Sequence, residues 1–474
     1  MTWVSAAAPA LWPRLASRLP LVVFAGVYLF TCYVGTVALL FSEPFRTVFL
    51  VMSGARVPDL TMRDVWLVLV LLHAGPLVLW GGYELGLRMA QRWRWGVATV
   101  GVPQSVWTAR TLFLVCVGIS LISLGRADAA DGLAAWLNYN NYVYARWRIF
   151  DRLTFAEFVN LYTLLPLSAA HLVLLERKWV SRPAVVAVVL LLQYPLALRK
   201  VLLTSLFLIG AAVYLHRYAG SLPRRPATAT RHLAVLVLGP LALYVVYLGL
   251  TLLTVIRADS QPFLSMRDQI RPTPSLDRRA GDPALSFRID EEAIARIQRQ
   301  RWRALTLYVL FSPLTRTSIP ALVYPVVFPD VHPYYRLDLG QDILGFGGMP
   351  DDNLVVYQIL WPDHHRGSIA APFHLVLYSQ GGALVSVAGC AVTGLLLAVG
   401  WGRFMAFATP PPHVCLYGAL LVVLGIFLAI DSLRNSLLVS YGLLWGIAAV
   451  AILSLCSKGF RLVTRGRQGV AAAS

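Results

Sequence analysis

Long apolar runs, broken by short polar segments, cover most of the chain. A helix rises about 1.5 Å per residue, so about 20 apolar residues cross the roughly 30 Å hydrocarbon layer of a membrane. Runs that reach or approach this length are Leu21 to Phe41, Val65 to Leu85, Val106 to Leu124, Phe155 to Leu175, Pro183 to Leu198, Val201 to His216, Leu233 to Val255, Gly382 to Trp401, His413 to Ile430 and Leu437 to Cys456. The pattern predicts an all-α fold, a polytopic integral membrane bundle of about ten transmembrane helices.

Two of these runs are short and meet at a pair of cations. Pro183 to Leu198 and Val201 to His216 flank Arg199 and Lys200, and a helix of that length reaches only about 24 Å. The cationic turn is therefore expected below the membrane surface. Charge inside a membrane is costly unless it lines a cavity or meets a partner, which makes the pair a candidate site. The alternative is snorkelling, in which both side chains extend from a short helix to the interface.

Composition agrees with a membrane protein and excludes an ordinary soluble domain. The 474 residues are 58% hydrophobic and 14% charged, with a mean hydropathy of +0.65. The net charge of +18 comes largely from arginines that flank apolar runs, as expected for positive-inside topology and contact with anionic membrane lipids, so no nucleic acid partner is predicted. All five cysteines fall in apolar segments, and neither a metal nor another cofactor is expected.

One orientation places every short basic connection on the same side of the membrane. With both termini cytoplasmic, the chain divides into three parts: an N-terminal bundle of about seven spans at 1–255, a long outer loop with amphipathic or re-entrant helices at 256–380, and a C-terminal bundle of about three spans with a cytoplasmic tail at 381–474. The turn at Arg199 and Lys200, the long loop and the turn after Ile430 then share the outer face.

Four cations on that face are candidates for holding a phosphate or diphosphate, namely Arg199, Lys200, Arg316 and Arg434. Arginine presents a rigid fork of donors that matches phosphate oxygens, and it stays charged when recessed. For Arg434 the alternative is a local ion pair with Asp431, three residues earlier. For Arg316 the alternative is contact with a lipid headgroup.

A general base is expected among the carboxylates and histidines near these cations. Asp431 and His365 are the candidates for taking a proton from an acceptor hydroxyl. His365 follows His364 directly, and adjacent histidines on a helix point apart, which disfavours a shared metal and leaves a solvated loop histidine as the alternative. Four further carboxylates are candidates for the same role, and the sequence does not rank them: Asp338, Asp342, Asp351 and Asp352.

Aromatic and amide residues interleave between positions 138 and 147 on the predicted outer side. Tyr139, Tyr142 and Trp147 are candidates for stacking on sugar rings, because an aromatic face packs well against them. The alternative is the aromatic belt that membrane proteins place at the membrane interface.

Three stretches and one charged turn carry a family resemblance. The stretches are Gln193 to Leu202, Phe311 to Arg316, and Gly367 to Phe373 with its continuation Leu377 to Gly382; the turn holds Asp431 and Arg434 before the last helix. In the third stretch a small-residue turn is followed by a helix with Tyr378 and by glycine opening the next span. With these features the chain resembles the bacterial O-antigen and exopolysaccharide repeat-unit polymerases.

The resemblance implies a GT-C-like helical glycosyltransferase in the bacterial inner membrane, with its long loop in the periplasm. Its substrates would be undecaprenyl-diphosphate-linked glycans on the periplasmic side, and a chain-length regulator and a flippase would be its protein partners. Arg199, Arg316 and Arg434 would hold the leaving diphosphate in place of a metal. The alternatives are a ligase that moves finished glycan to another acceptor, and a transporter or flippase that performs no chemistry.

Overall fold

A computed structural model describes residues 15–92, 105–127, 149, 152–176, 178, 181–196, 199–218, 245, 249, 285–287, 291–311, 315, 317–335, 352–362, 369–407, 410–438 and 443–452. Across these residues the chain is helical, and the one extended pairing is an isolated antiparallel bridge between Leu60 and Leu285. The predicted all-α fold is confirmed.

The helices follow one another with short connections wherever the chain is described. In chain order they are α1 Leu19–Phe41, α2 Glu43–Ser53, α3 Met62–Arg92, α4 Val106–Arg126, α5 Phe155–Leu175, α6 Ser181–Gln193, α7 Arg199–Tyr218, α8 Glu291–Arg299, α9 Arg301–Phe311, α10 Ser318–Val327, α11 Asp352–Leu360, α12 Phe373–Met405, α13 Pro412–Ile430, α14 Leu433–Leu437 and α15 Leu443–Ile452. A 3-10 turn at Tyr194–Leu196 follows α6.

Six of the described helices are long and apolar enough to cross a membrane, α1, α3, α4, α5, α12 and α13. The predicted helical membrane protein is confirmed to this extent. The two short runs on either side of Arg199 form α6 and α7, and α10 and α15 are also short and apolar. The predicted span Leu233 to Val255 lies outside the described residues except at positions 245 and 249.

Glycines let α3 and α12 pack closer than ordinary side chains allow. A Cβ atom on Gly82 would lie 2.2 Å from the carbonyl oxygen of Ala391, and one on Gly394 would lie 2.2 Å from that of Leu79. In lipid, helices associate through close van der Waals packing, and small residues permit the approach. α3 and α12 therefore form a tightly packed pair in the bundle.

Helix α10 enters the bundle beside the middle of α1. Residues Leu29–Tyr33 of α1 form a π-helical turn, and two carbonyls of this turn accept hydrogen bonds from the start of α10. The Thr317 hydroxyl donates to the Thr31 carbonyl and the Ser318 hydroxyl to the Cys32 carbonyl, both at 2.8 Å. Thr31 lies about 18 Å along α1 from its first residue. Because every residue of α10 is buried, this helix re-enters the bundle.

Helix α12 is folded sharply near its start. Gly381 and Gly382 leave helical geometry, and Gly382 has φ 75° and ψ −162°, a region that is essentially restricted to glycine. The Ser386 hydroxyl donates to the His374 carbonyl at 2.7 Å, although these residues are 12 apart in sequence and would be about 18 Å apart in a straight helix. Residues 373–380 are therefore folded back on the rest of α12 as a second re-entrant element.

We expect Gly382→Ala to destabilise the fold by about 1–3 kcal/mol, because alanine rarely adopts this backbone conformation. The new Cβ atom would also lie 3.2 Å from the hydroxyl oxygen of Tyr334. Thermal unfolding of the detergent-solubilised protein measures the loss. Gly118→Ala in α4 is the control, since a Cβ atom there meets nothing within 4 Å. Equal stability of the two variants would contradict the folded-back geometry.

Segments from distant parts of the chain pack into a small cap next to the end of the bundle at which α1 finishes, here called the Phe41 end. The cap contains α2, α8, α9 and α11. The Asp59 carboxylate accepts from the backbone N–H of Phe287 at 2.8 Å, and the Trp361 indole donates to the Ser53 carbonyl at 3.1 Å. On α8, Ile294 is buried against α2. The cap and the two re-entrant elements together occupy the Phe41 end.

Candidate functional site

Helix α13 ends partway along α1, within its first half. The indole of Trp401, near the end of α12, donates to the Ala16 carbonyl just before α1, and α13 then returns alongside α1, so α1 and α13 run in the same direction. Gly425 of α13 lies against Pro20, and α13 finishes five residues later at Ile430. α1 continues well past this point to its end. The residues after α13 therefore lie deep in the bundle.

Asp431 is the first residue after α13 and is 4% exposed. Its Oδ1 atom accepts from the backbone N–H of Ser432 and from the Asn435 side-chain amide, both at 2.9 Å. These bonds hold the turn that leads into α14, the short helix that contains Arg434. Asp431 thus supports the local backbone of a predicted cationic residue. Its assignment as a general base stays a prediction.

The first turn of α7 reaches the same depth as Asp431. α7 and α13 pack together, and His216, near the end of α7, contacts Cys415, near the start of α13, at 3.9 Å. The two helices are therefore antiparallel. Both rise about 1.5 Å per residue, so the backbone at Arg199 and Lys200 is level with the end of α13. The contacts of these two cations with a diphosphate stay predictions.

A second buried carboxylate lies where the two re-entrant elements meet the cap. Asp352 begins α11 and is 4% exposed. Its Oδ2 atom lies 3.0 Å from the Tyr324 hydroxyl of α10 and 3.0 Å from the Ser379 hydroxyl of the folded-back segment. The same two hydroxyls also approach other acceptors, the Asn353 side-chain oxygen at 2.8 Å and the Val376 carbonyl at 2.7 Å.

The two carboxylates belong to one electrostatic neighbourhood. Asp352 accepts a hydrogen bond from the Tyr324 hydroxyl at 3.0 Å, and Asp431 is near enough to the same hydroxyl to act on it electrostatically. Next to them, the Tyr378 hydroxyl donates to the Phe328 carbonyl at 3.1 Å. The side-chain oxygen of Gln380 is buried and has no hydrogen-bond partner among the described residues. The Phe41 end of the bundle therefore contains a recessed, acidic and hydroxyl-rich site, here called the carboxylate recess.

Five predicted site residues lie outside the part of the chain that the structure describes, namely Arg316, His365, Tyr139, Tyr142 and Trp147. For Arg199, Lys200 and Arg434 the structure gives the helical backbone. Within the part of the chain that is described, no three His, Cys, Asp or Glu side chains are grouped closely enough to hold a metal ion.

Sequence reasoning missed Tyr324 and Ser379 and left Asp352 unranked among four carboxylates. One signal was available for Ser379, which lies in the Leu377 to Gly382 stretch that carries part of the family resemblance. Tyr324 lies in an entirely apolar run and reads as a core residue. Only the packing of α10 against α11 gives its hydroxyl a polar partner.

Comparison with known proteins adds no relative. No family model, curated protein or solved structure matches the chain. The chemistry of the carboxylate recess therefore rests on its residues: carboxylates and hydroxyls that can bind sugar hydroxyls or accept a proton, at the depth of a cationic turn that suits an anionic group.

Proposed function

We propose that the protein is a membrane glycosyltransferase of the GT-C-like type. It polymerises undecaprenyl-diphosphate-linked oligosaccharide repeat units into O-antigen or exopolysaccharide. About ten spans cross the bacterial inner membrane, with both termini in the cytoplasm. The Phe41 end then faces the periplasm, where the lipid-linked repeat units are presented.

One observation carries the proposal: a buried carboxylate at the mid-bundle end of α13 lies level with the first turn of α7, which bears Arg199 and Lys200. A polyprenyl chain stays in the lipid, and its diphosphate lies near the membrane surface. A recessed cationic turn can reach this group while the acidic residues face the sugars. Burial of the carboxylates strengthens their interactions with sugar hydroxyls, because the local dielectric constant is low.

The proposed reaction transfers the growing glycan from its carrier to the non-reducing end of another lipid-linked unit. An acceptor hydroxyl oxygen forms a bond to the anomeric carbon, and the bond from that carbon to the diphosphate oxygen breaks. Developing charge on the diphosphate is stabilised by cations, for which we propose Arg199, Lys200, Arg316 and Arg434. Asp431 or His365 is proposed to take the hydroxyl proton.

Sugar rings in this scheme stack on the aromatic residues of the 138–147 segment, with Tyr139, Tyr142 and Trp147 as the proposed contacts. A chain-length regulator and a flippase are the proposed protein partners. Both follow from the type of reaction, because a polymerase needs delivered substrate and a signal that sets length.

Deletion of the gene is expected to leave single, unpolymerised repeat units on the cell surface and no long polymer. A gel of surface polysaccharide from the deletion strain makes the measurement. A ligase would instead leave long polymer attached to its lipid carrier after deletion. A transporter would leave the purified protein with bound substrate that is unchanged after incubation. Either of these results would overturn the proposal.

A further inference from the structure

We infer that Asp352 is the proton acceptor of the transfer, with Tyr324 and Ser379 as the residues that position it. This inference rests on the proposed function, and it replaces Asp431 and His365 in the role of base. It selects one carboxylate from the four that the sequence leaves equal.

Burial is the first argument for Asp352. A carboxylate that is 4% exposed has lost most of its water, which is costly unless nearby groups compensate or the group serves a function. The hydroxyls of Tyr324 and Ser379 contribute to this compensation, because each lies 3.0 Å from the Oδ2 atom of Asp352. Such groups hold a carboxylate in place and can rotate their protons when its charge changes.

The number of hydroxyl protons around Asp352 is compatible with a carboxylate that gains and loses a proton. Tyr324 and Ser379 each have one hydroxyl proton, and each hydroxyl also lies within 2.8 Å of an acceptor other than Asp352. When Asp352 is ionised, both protons can point to its Oδ2 atom. When Asp352 carries a proton, both can turn to Asn353 and Val376 instead. The surroundings therefore have a satisfied arrangement for each protonation state.

Position is the third argument. Asp352 joins the cap to both re-entrant elements, since its partners come from α10 and from residues 373–380. Asp431 has a structural role instead, because its Oδ1 atom accepts the hydrogen bonds that stabilise the turn before α14. Asp431 is therefore assigned to positioning the turn that carries Arg434. Asp352, by contrast, accepts at its Oδ2 atom from two side-chain hydroxyls, whose protons can rotate.

The acceptor hydroxyl oxygen bonds to the anomeric carbon, and its proton passes to a carboxylate oxygen of Asp352. The bond between the anomeric carbon and the diphosphate oxygen breaks, and the diphosphate leaves with the electron pair. Asp352 then returns the proton to water or to the diphosphate, which restores the ionised carboxylate for the next transfer.

Asp352→Asn tests the inference in purified protein with lipid-linked repeat units as substrate. The amide keeps the shape of the side chain and cannot accept the proton. We expect kcat to fall about 10²- to 10⁴-fold, with KM for the lipid-linked unit within about twofold of its original value. In the original protein, protonation of the Asp352 carboxylate is expected to lower the rate at acid pH, and this acid limb is expected to disappear in the variant.

Asp59→Asn is the matched control, a carboxylate of the same cap whose Oδ1 atom accepts from Phe287. An amide oxygen can keep that bond, so the polymerisation rate is expected to be unchanged. If Asp352→Asn keeps at least half the original kcat, the inference is overturned. In that case polymerisation by the original protein still upholds the proposed function. A folded original protein that produces no polymer would overturn the proposed function itself.

If Asp352→Asn does not fold, Ser379→Ala and Tyr324→Phe decide the question, because each removes one hydroxyl and keeps the carboxylate. A hydroxyl that donates to a carboxylate favours its ionised form, so each substitution disfavours that form of Asp352. The acid limb of the pH-rate profile is then expected to move to higher pH in both variants. Profiles that do not move, with the rate lowered only in proportion to folded protein, would show a structural role and overturn the inference.

Discussion

Gly82→Ala is expected to lower the stability of the protein by about 3 kcal/mol or more, a large overpacking effect. The new Cβ atom would lie 2.2 Å from the carbonyl oxygen of Ala391 and 2.9 Å from its carbonyl carbon. These are backbone atoms and cannot rotate away. α3 and α12 must therefore separate, and the close packing that holds them together in lipid is lost along their length. Thermal unfolding in detergent makes the measurement, and the unfolding temperature of the variant is expected to fall by several degrees.

The neighbouring glycine provides the matched control for this prediction. Gly81 belongs to the same helix, and a Cβ atom there meets nothing within 4 Å. Gly81→Ala is therefore expected to leave stability unchanged or to raise it slightly, because alanine has a higher helix propensity than glycine. If Gly81→Ala and Gly82→Ala unfold at the same temperature, the close contact between α3 and α12 is not present in the protein.

Arg199→Ala is expected to abolish long polymer while single repeat units persist. In the proposed reaction Arg199 stabilises charge that develops on the leaving diphosphate, and loss of one such donor typically lowers kcat about 10²- to 10³-fold. A polymer needs many successive transfers, so a loss of this size per transfer removes the long chains. Surface polysaccharide gels of cells that express the variant at the original level make the measurement.

Arg217→Ala is the control for Arg199→Ala. Arg217 is an exposed cation at the opposite end of α7, so the two substitutions remove the same charge from the same helix at different depths. Polymer of ordinary length is expected for Arg217→Ala. Ordinary chain length in Arg199→Ala would remove that residue from the reaction. Labelling of Arg199→Cys from the cytoplasmic side alone would contradict the orientation of the whole proposal.

The apolar pattern was sufficient to predict the six long apolar helices that the structure describes. Phe155 to Leu175 has the bounds of α5, and Leu21 to Phe41 differs from α1 by two residues at its start. The physical reason is local. In lipid a chain must satisfy its backbone hydrogen bonds within each span, so a sufficiently long apolar run is enough to specify a helix.

The same pattern could not show where a helix would bend, or how far into the bundle it would extend before it ended. The sequence predicts a span that begins at Gly382, yet the helix begins at Phe373 and folds back at Gly381 and Gly382. Glycine permits that backbone conformation. The bond between Ser386 and His374 shows that the two segments are folded together, and hydropathy contains no information about such a contact.

The carboxylate recess depends on tertiary structure to a still greater degree. Asp338, Asp342, Asp351 and Asp352 are equivalent in a polar, glycine-rich stretch, and packing alone brings Asp352 to Tyr324 and Ser379. Asp431 comes near the Tyr324 hydroxyl because α13 ends partway along α1. Periodicity and charge act over a few turns of helix, and they determined which segments form helices apolar enough to cross a membrane. Contacts between residues far apart in the chain fixed which of the charged groups meet, because those contacts depend on how whole helices pack.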